Sequence, residues 1–95
     1  MTFEWDEKKN KINKEKHHIG FEDALYVFAD PFAVTRRDDF ESEDRQQILG
    51  RINGVLMALV VFTIRKGETE ETIRIISARK AMQAERRLDE EGNWF

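Results

Sequence analysis

Phe21, Ala24, Leu25 and Phe28 recur at intervals of three and four residues, which makes one side of this stretch apolar. A repeat near 3.6 predicts an amphipathic helix resting on a core. Gly20 precedes it as a cap, Glu22 and Asp23 place negative charge at its positive end, and Asp30-Pro31 stops it, because a residue before proline is driven out of helical geometry. Upstream, residues 2–5 read as a short strand, and Asp6 is placed to cap a helix running to about His17. That helix carries almost no apolar stripe. Ile12 is its one aliphatic residue, and Lys9, Asn13 and Lys16 lie on or near the same face. It is therefore either a solvated helix pinned by Trp5, Ile12 and Ile19 or a helix that presents a functional basic face.

Beyond residue 31 the pattern changes to that of strands. Residues 32–37 form one, followed by the acidic turn of Asp38, Asp39 and Glu41. A second spans about 43–51 and ends near Asn53-Gly54, a strong hairpin signal. Residues 55–65 make a third, and 72–78 a fourth after the polar turn 66–71. The third is apolar on both faces, as a central strand covered from two sides is. The N-terminal helices can cover one side; the other requires the C-terminal helix or a partner, a first sign of a protein complex. Arg79 opens the last helix, which runs to about Glu91 with Gly92 as its stop. The order predicts an α+β fold: an antiparallel sheet of about four strands, two N-terminal helices and one C-terminal helix, in a single domain over residues 1–95.

Composition narrows the function. The chain has 95 residues, 40% hydrophobic and 37% charged, enough for one modest core whose marginal burial favours an oligomer or a bound partner. It has no cysteine, which excludes disulfides, thiolate zinc sites and cysteine nucleophiles. Residues 1–16 are charged almost throughout, and the longest apolar stretch, 55–64, is too short for a membrane helix, so the cytoplasm is the expected compartment. A net charge of −3 is not that of a general nucleic-acid binder, so any contact with RNA or DNA must come from a local patch.

Arginine supplies the first candidates. Arg45, Arg51, Arg65, Arg74 and Arg79 fall in or at the ends of predicted strands, where each needs a counter-charge. They form either a phosphate-binding surface of permanently charged planar forks or structural pairs with Glu41, Glu43, Glu68, Glu70, Glu71 and Glu85. Lys16-His17-His18 ends the first helix, and imidazole exchanges protons near neutrality. Consecutive helical residues diverge by about 100°, so His17 and His18 do not chelate a shared ion; the structural alternative is that the helix dipole favours histidine there. The acidic stretch from Asp38 to Asp44 lacks the pattern of a calcium loop and reads as a solvated turn. Glu43 is set apart because it shares a strand face with Arg45. Hydrolase triads, Gly-rich phosphate loops and dinucleotide fingerprints are absent from the sequence.

The run Phe3-Glu4-Trp5-Asp6, Asn13, Lys16-His17, Phe21-Glu22-Asp23-Ala24, Phe28 and Asp30-Pro31, followed by Glu43-x-Arg45, Gly50, Arg74-Ile75-Ile76-Ser77-Ala78-Arg79-Lys80-Ala81 and Glu85, resembles the BrnT family of toxins over nearly the whole chain. The resemblance implies a RelE-like fold and a cytoplasmic endoribonuclease of a type II toxin-antitoxin system. Such an enzyme cuts RNA without metal or other cofactor, by 2′-hydroxyl attack on the adjacent phosphate, and inhibits translation. It further implies a BrnA-like antitoxin as partner, RNA, including ribosome-bound message, as substrate, operator DNA reached only through the antitoxin, and no membrane. Carried over by position, Arg79, Arg74 and Arg65 stabilise phosphate and transition state. Lys16 and His17 contact substrate or carry protons, and Glu43 with Arg45 is a base or an orienting ion pair.

Two positions depart from the family pattern. His18 stands where relatives usually have glycine, with Gly20 as a compensating turn residue, and Asp89 stands where the last helix often has an aromatic. They support an alternative: a catalytically degenerate relative that acts as a protein-interaction module in an antitoxin and operator-DNA complex. That alternative expects Arg65, Arg74 and Arg79 in internal salt bridges, whereas the ribonuclease expects several to converge on one open groove.

Overall fold

Asp6 accepts hydrogen bonds from the backbone N–H groups of Lys8 (2.8 Å) and Lys9 (3.4 Å), and helix α1 (Glu7–His17) starts there as the sequence requires. The computed structural model describes residues 1–38 and 44–92. It comprises β1 (Thr2–Glu4), α1, α2 (Phe21–Ala29), β2 (Val34–Arg37), β3 (Arg45–Ile52), β4 (Leu56–Lys66), β5 (Glu71–Lys80) and α3 (Gln83–Glu90). The α+β class is as expected. The sheet, however, has five strands in the order β1-β5-β4-β3-β2 and is mixed, because β1 pairs in parallel with β5 through Thr2–Thr72, Phe3–Ile73 and Glu4–Arg74. The short strand at the N-terminus was expected, but its parallel pairing with residues about seventy positions away leaves no local signature, which is why the sequence suggested a sheet of about four antiparallel strands.

One face of the sheet carries the main core. Ile48, Ala58, Val60, Phe62, Ile73, Ile75 and Ala78 pack with Phe21, Ala24 and Val27 of α2, and Phe28 bridges Phe3 and Phe62 through edge-on ring contacts at 5.2 and 5.1 Å. Gly50 admits the helix: a Cβ there would lie 2.9 Å from Ala33 Cβ and 3.1 Å from Val27 Cγ1. A smaller cluster of Leu49, Met57 and Leu59, with Val34 and Ala81, occupies the opposite face, so β4 is buried on both sides as its pattern demanded. No helix among the described residues is long and apolar enough to cross a membrane.

Several boundaries differ from the sequence pattern for identifiable reasons. Phe32 is not in a strand but in a turn, 86% exposed, where Asp30 Oδ1 accepts its N–H at 2.9 Å. The β3–β4 turn uses positive φ at both Asn53 (52°) and Gly54 (72°) and is closed by the Val55 N–H to Ile52 carbonyl bond. Arg79 does not open the last helix. Ladder pairing carries β5 on to Lys80, opposite Ala58, and the helix waits until Gln83. Ile12 is 60% exposed and pins nothing; α1 is held by two buried polar residues, Asn10 and Asn13. Asn10 Oδ1 accepts from the Phe21 N–H at 2.8 Å and so caps α2, while its Nδ2 donates to Glu22.

Gly20 does not take over the turn after α1. Its φ is −85°, whereas His18 itself adopts the left-handed conformation at φ 62° and donates its N–H to the Lys14 carbonyl. A side chain in that region costs about 1 kcal/mol. The variant His18→Gly is therefore expected to raise the melting temperature by a few degrees in a thermal scan, part of the gain being offset by the larger entropy of glycine in the unfolded chain.

Candidate active site

The arginines singled out in the sequence gather on the face of the sheet that α2 leaves open. Paired residues in a sheet share a face, and Glu4, Arg74, Thr63 and Arg45 form one row across β1, β5, β4 and β3. Arg65 and Thr72 form the neighbouring row, and Leu59 pairs with Arg79 toward the opposite end. Five positions separate Arg74 from Arg79, so a regular strand would point them to opposite faces. A β-bulge corrects this: Val61 pairs with Ser77 and the next residue, Phe62, with Ile75, so Ile76 is unmatched and the alternation of β5 reverses. Both arginines then face the same side, about 15 Å apart at roughly 3.3 Å per residue.

At the first end, Glu4 is the hub. Its Oε1 accepts from Arg65 Nη1 at 2.9 Å and lies 3.8 Å from Arg74 Nη1. Arg74 also acts on Asp6, whose carboxyl is held below its ordinary value first by the Lys8 and Lys9 backbone bonds and then by the charges of Lys9 and Arg74. Arg45, in the same row, has Nε 3.8 Å from Asp38 Oδ2. Glu43, its expected companion, lies outside the described residues.

The second end joins α1 to β5. Asn13 is a structural residue and not part of a basic surface. Its Nδ2 donates to the carbonyls of Ile19 and Ala78, both at 2.8 Å, and its Oδ1 accepts the Ala78 N–H at 3.3 Å. The carboxamide thus takes the place of a neighbouring strand at the β5 edge that short β1 leaves uncovered. His17 is one helical turn beyond Asn13 on the same side of α1, and Arg79 is the next residue after Ala78. The clamp therefore brings His17 and Arg79 together. Partial burial first, then the charges of Lys16, Arg79 and His18, lower the His17 pKa below its usual 6.5, so the imidazole is mainly neutral at physiological pH.

Arg79 is itself tied down. Its Nη1 and Nη2 donate to Glu85 Oε1 and Oε2, both at 2.8 Å, and Nη1 also donates to the Lys80 carbonyl at 3.2 Å. Glu85, only 6% exposed, accepts the Met82 N–H at 2.8 Å as the third residue of α3. Burial alone would raise its pKa, but the bonds from Arg79 and Met82 and the charge of Arg36 more than offset this and leave it lowered. Glu85 appeared in the sequence as one of the counter-charges and within the family resemblance, but Arg79 lies in β5 and Glu85 in α3, so no single periodicity connects the two. Its one local signal is its position in the first turn of the last helix.

The sequence candidates are thus divided in two. His17, on which the charges of Lys16 and Arg79 both act, lies at one end of the open face with Arg79, and Arg65, Arg74 and Arg45 lie toward the other. Among the described residues no cluster of three or more His, Asp or Glu forms a metal-binding group.

The architecture is similar to that of the Brucella abortus ribonuclease toxin BrnT, solved by crystallography at 1.1 Å resolution. The TM-score is 0.69 at 29% sequence identity, over 87% of this chain and 99% of that one. No curated protein matches the sequence. The family model described as "Ribonuclease toxin, BrnT, of type II toxin-antitoxin system" matches residues 5–85.

Proposed function

Because the chain belongs to the BrnT family of ribonuclease toxins of type II toxin-antitoxin systems, we propose that it is a metal-independent endoribonuclease that drives a ribose 2′-hydroxyl onto the adjacent phosphate. The observation that carries this reading is that the Asn13–Ala78 bond places His17 within the field of Arg79, whose guanidinium is fixed by Glu85. His17 accepts the 2′-hydroxyl proton. Arg79 binds the phosphate oxygens, whose charge grows as the new 2′-oxygen–phosphorus bond forms and the bond to the 5′-oxygen breaks. The protonated His17 or Lys16 returns a proton to the leaving 5′-oxygen, giving a 2′,3′-cyclic phosphate and a 5′-hydroxyl. Arg74, Arg65 and Arg45 hold flanking phosphates along the open face. For Glu43, a base or the orienting partner of Arg45, the pH–rate profile of Glu43→Gln is the test.

A BrnA-like antitoxin is the proposed partner, with operator DNA reached only through it. Phe32 and Val55, 86% and 79% exposed, supply apolar surface that such a protein would cover. The proposed substrate is cytoplasmic RNA, including message on the ribosome; a chain of net charge −3 engages it through the local arginine face, which limits trapping on bulk RNA.

Expression without antitoxin, beside Arg79→Ala, tests the function: growth arrest with new internal RNA ends, lost in the variant, is expected. The purified protein should cut in EDTA and leave cyclic phosphate ends. Ion pairing of Arg65 and Arg74 to Glu4, and of Arg79 to Glu85, favours a second reading, the non-catalytic interaction module. Normal growth, soluble folded protein and intact RNA would select it.

His17 also makes the reaction pH-dependent. A base must be unprotonated, so kcat/KM is expected to fall tenfold per pH unit below a midpoint under 6.5, and His17→Ala should lack this limb. The same shift acts on folding: the unfolded chain binds the proton more tightly, so this group's contribution to stability declines as pH falls from 6.5 through the lowered pKa. Proton NMR titration of the imidazole provides the check, and Arg79→Ala should move its pKa upward.

A further inference from the structure

Arg79 has five N–H donors, one on Nε and two on each Nη. One from Nη1 and one from Nη2 go to the two oxygens of Glu85, and the second from Nη1 goes to the Lys80 carbonyl. Among the described residues this leaves the Nε–H and the second Nη2–H. The pair is not arbitrary. Nη2 is the nitrogen on the Nε–H side of the guanidinium plane, so these two hydrogens point the same way and form a second planar fork, suited to two oxygens of one phosphate. Glu85 occupies the far fork from the buried side, its side chain 8% exposed against 31% for Arg79, and is itself fixed by the Met82 N–H.

We propose that Glu85 is a positioning residue of the ribonuclease, holding the far edge of Arg79 so that the Nε–Nη2 edge faces the scissile phosphate. The proposal rests on the role given to Arg79 above and deepens it. A free arginine side chain samples many rotamers, and each must be relinquished when the phosphate binds; the Glu85 clamp makes that selection during folding. It also keeps the guanidinium from following the phosphate in the ground state, so its two bonds can strengthen as charge accumulates in the transition state. Glu85 acts only through Arg79 and does not touch substrate.

The test compares wild type, Glu85→Gln, Glu85→Ala, Arg79→Ala and the double variant Arg79→Ala/Glu85→Ala on one RNA oligonucleotide, below their measured melting temperatures. Glu85→Gln nearly preserves size but cannot accept two bonds from the guanidinium. It is expected to lower kcat about 100-fold, the scale of a small misplacement of a catalytic group, with KM little changed. In the Arg79→Ala background, removing Glu85 should lower kcat no further. Low, non-denaturing guanidinium should partly restore Arg79→Ala, whose carboxylate cradle survives, and should not restore the double variant. A carboxylate needed only for folding would not produce that difference.

Wild-type kcat in Glu85→Gln, an additional loss on removing Glu85 from Arg79→Ala, or equal rescue of the single and double variants would overturn the proposal. If Glu85→Ala does not fold, Glu85→Gln carries the kinetic test and Arg79→Ala/Glu85→Gln the rescue. The roles of Arg79 and Glu85 fail differently. Full activity in Arg79→Ala overturns the catalytic assignment and this proposal with it, whereas an inactive Arg79→Ala beside a fully active Glu85→Gln overturns this proposal alone.

Discussion

Asn13→Ala is expected to remove about 3 kcal/mol of folding stability, since a buried backbone group left without its partner costs about 1–3 kcal/mol and three groups depend on this carboxamide. They are the Ile19 carbonyl and the N–H and carbonyl of Ala78. Partial hydration of the vacated space keeps the loss below the full sum. Against the total of about 5–15 kcal/mol typical of a domain, that is a large share. Thermal denaturation followed by circular dichroism should show a midpoint lower by about 12–20 °C. Asn13→Asp should be no milder, because a carboxylate replaces both donor hydrogens and faces two carbonyl oxygens. Activity should fall with either variant even at temperatures where the protein is folded, because the same bonds hold His17 beside Arg79. A melting temperature within a few degrees of wild type would show that water or a neighbour satisfies the β5 edge without Asn13.

Arg79→Ala is expected to lower kcat about 100- to 1000-fold, the range seen when a preorganised donor to a developing oxyanion is removed. On the proposed role, the two donors of the Nε–Nη2 edge disappear together. Buried Glu85 loses both of its bonds from Arg79 and keeps, among the described residues, the Met82 N–H bond and the charge of Arg36. Its pKa should rise, because the burial that opposes ionisation remains while the bonds and field of Arg79 are gone. Stability should consequently fall as well, with α3 the first element to loosen, since the pair links β5 to its first turn. Arg79→Lys separates the two effects: it keeps a positive charge near Glu85 but not the double fork, so it should recover more stability than activity. Rates under saturating RNA, measured beside melting curves, provide the comparison.

Much of the fold was legible in local patterns. The apolar stripe of Phe21, Ala24, Leu25 and Phe28 became the core face of α2; Asp6 capped α1; Asn53-Gly54 made the β3–β4 turn; and β4 was buried on both faces. These features depend on residues within a few positions of one another, where period, caps and allowed φ values act directly. The sequence also held the candidate residues His17, Lys16, Arg45, Arg65, Arg74 and Arg79, because their side chains have few chemical alternatives as cations and proton carriers at neutral pH.

Tertiary structure decided which of them meet. Asn13 looks like part of a polar helix surface until its partner Ala78 is found 65 residues away, and only that contact makes α1 an extension of the sheet edge. The bulge at Ile76 turns Arg74 and Arg79 to the same face, although their separation in sequence predicts opposite ones, and extended pairing keeps Arg79 in β5 instead of a helix. Glu85 had no role beyond that of one candidate counter-charge among six until its buried carboxylate proved to grip Arg79. Residue type and local spacing determine which helices and turns form and which groups can carry charge. Long-range pairing, through hydrogen bonds whose two ends are far apart in the chain, decides the face, the neighbour and the orientation in which those charges act.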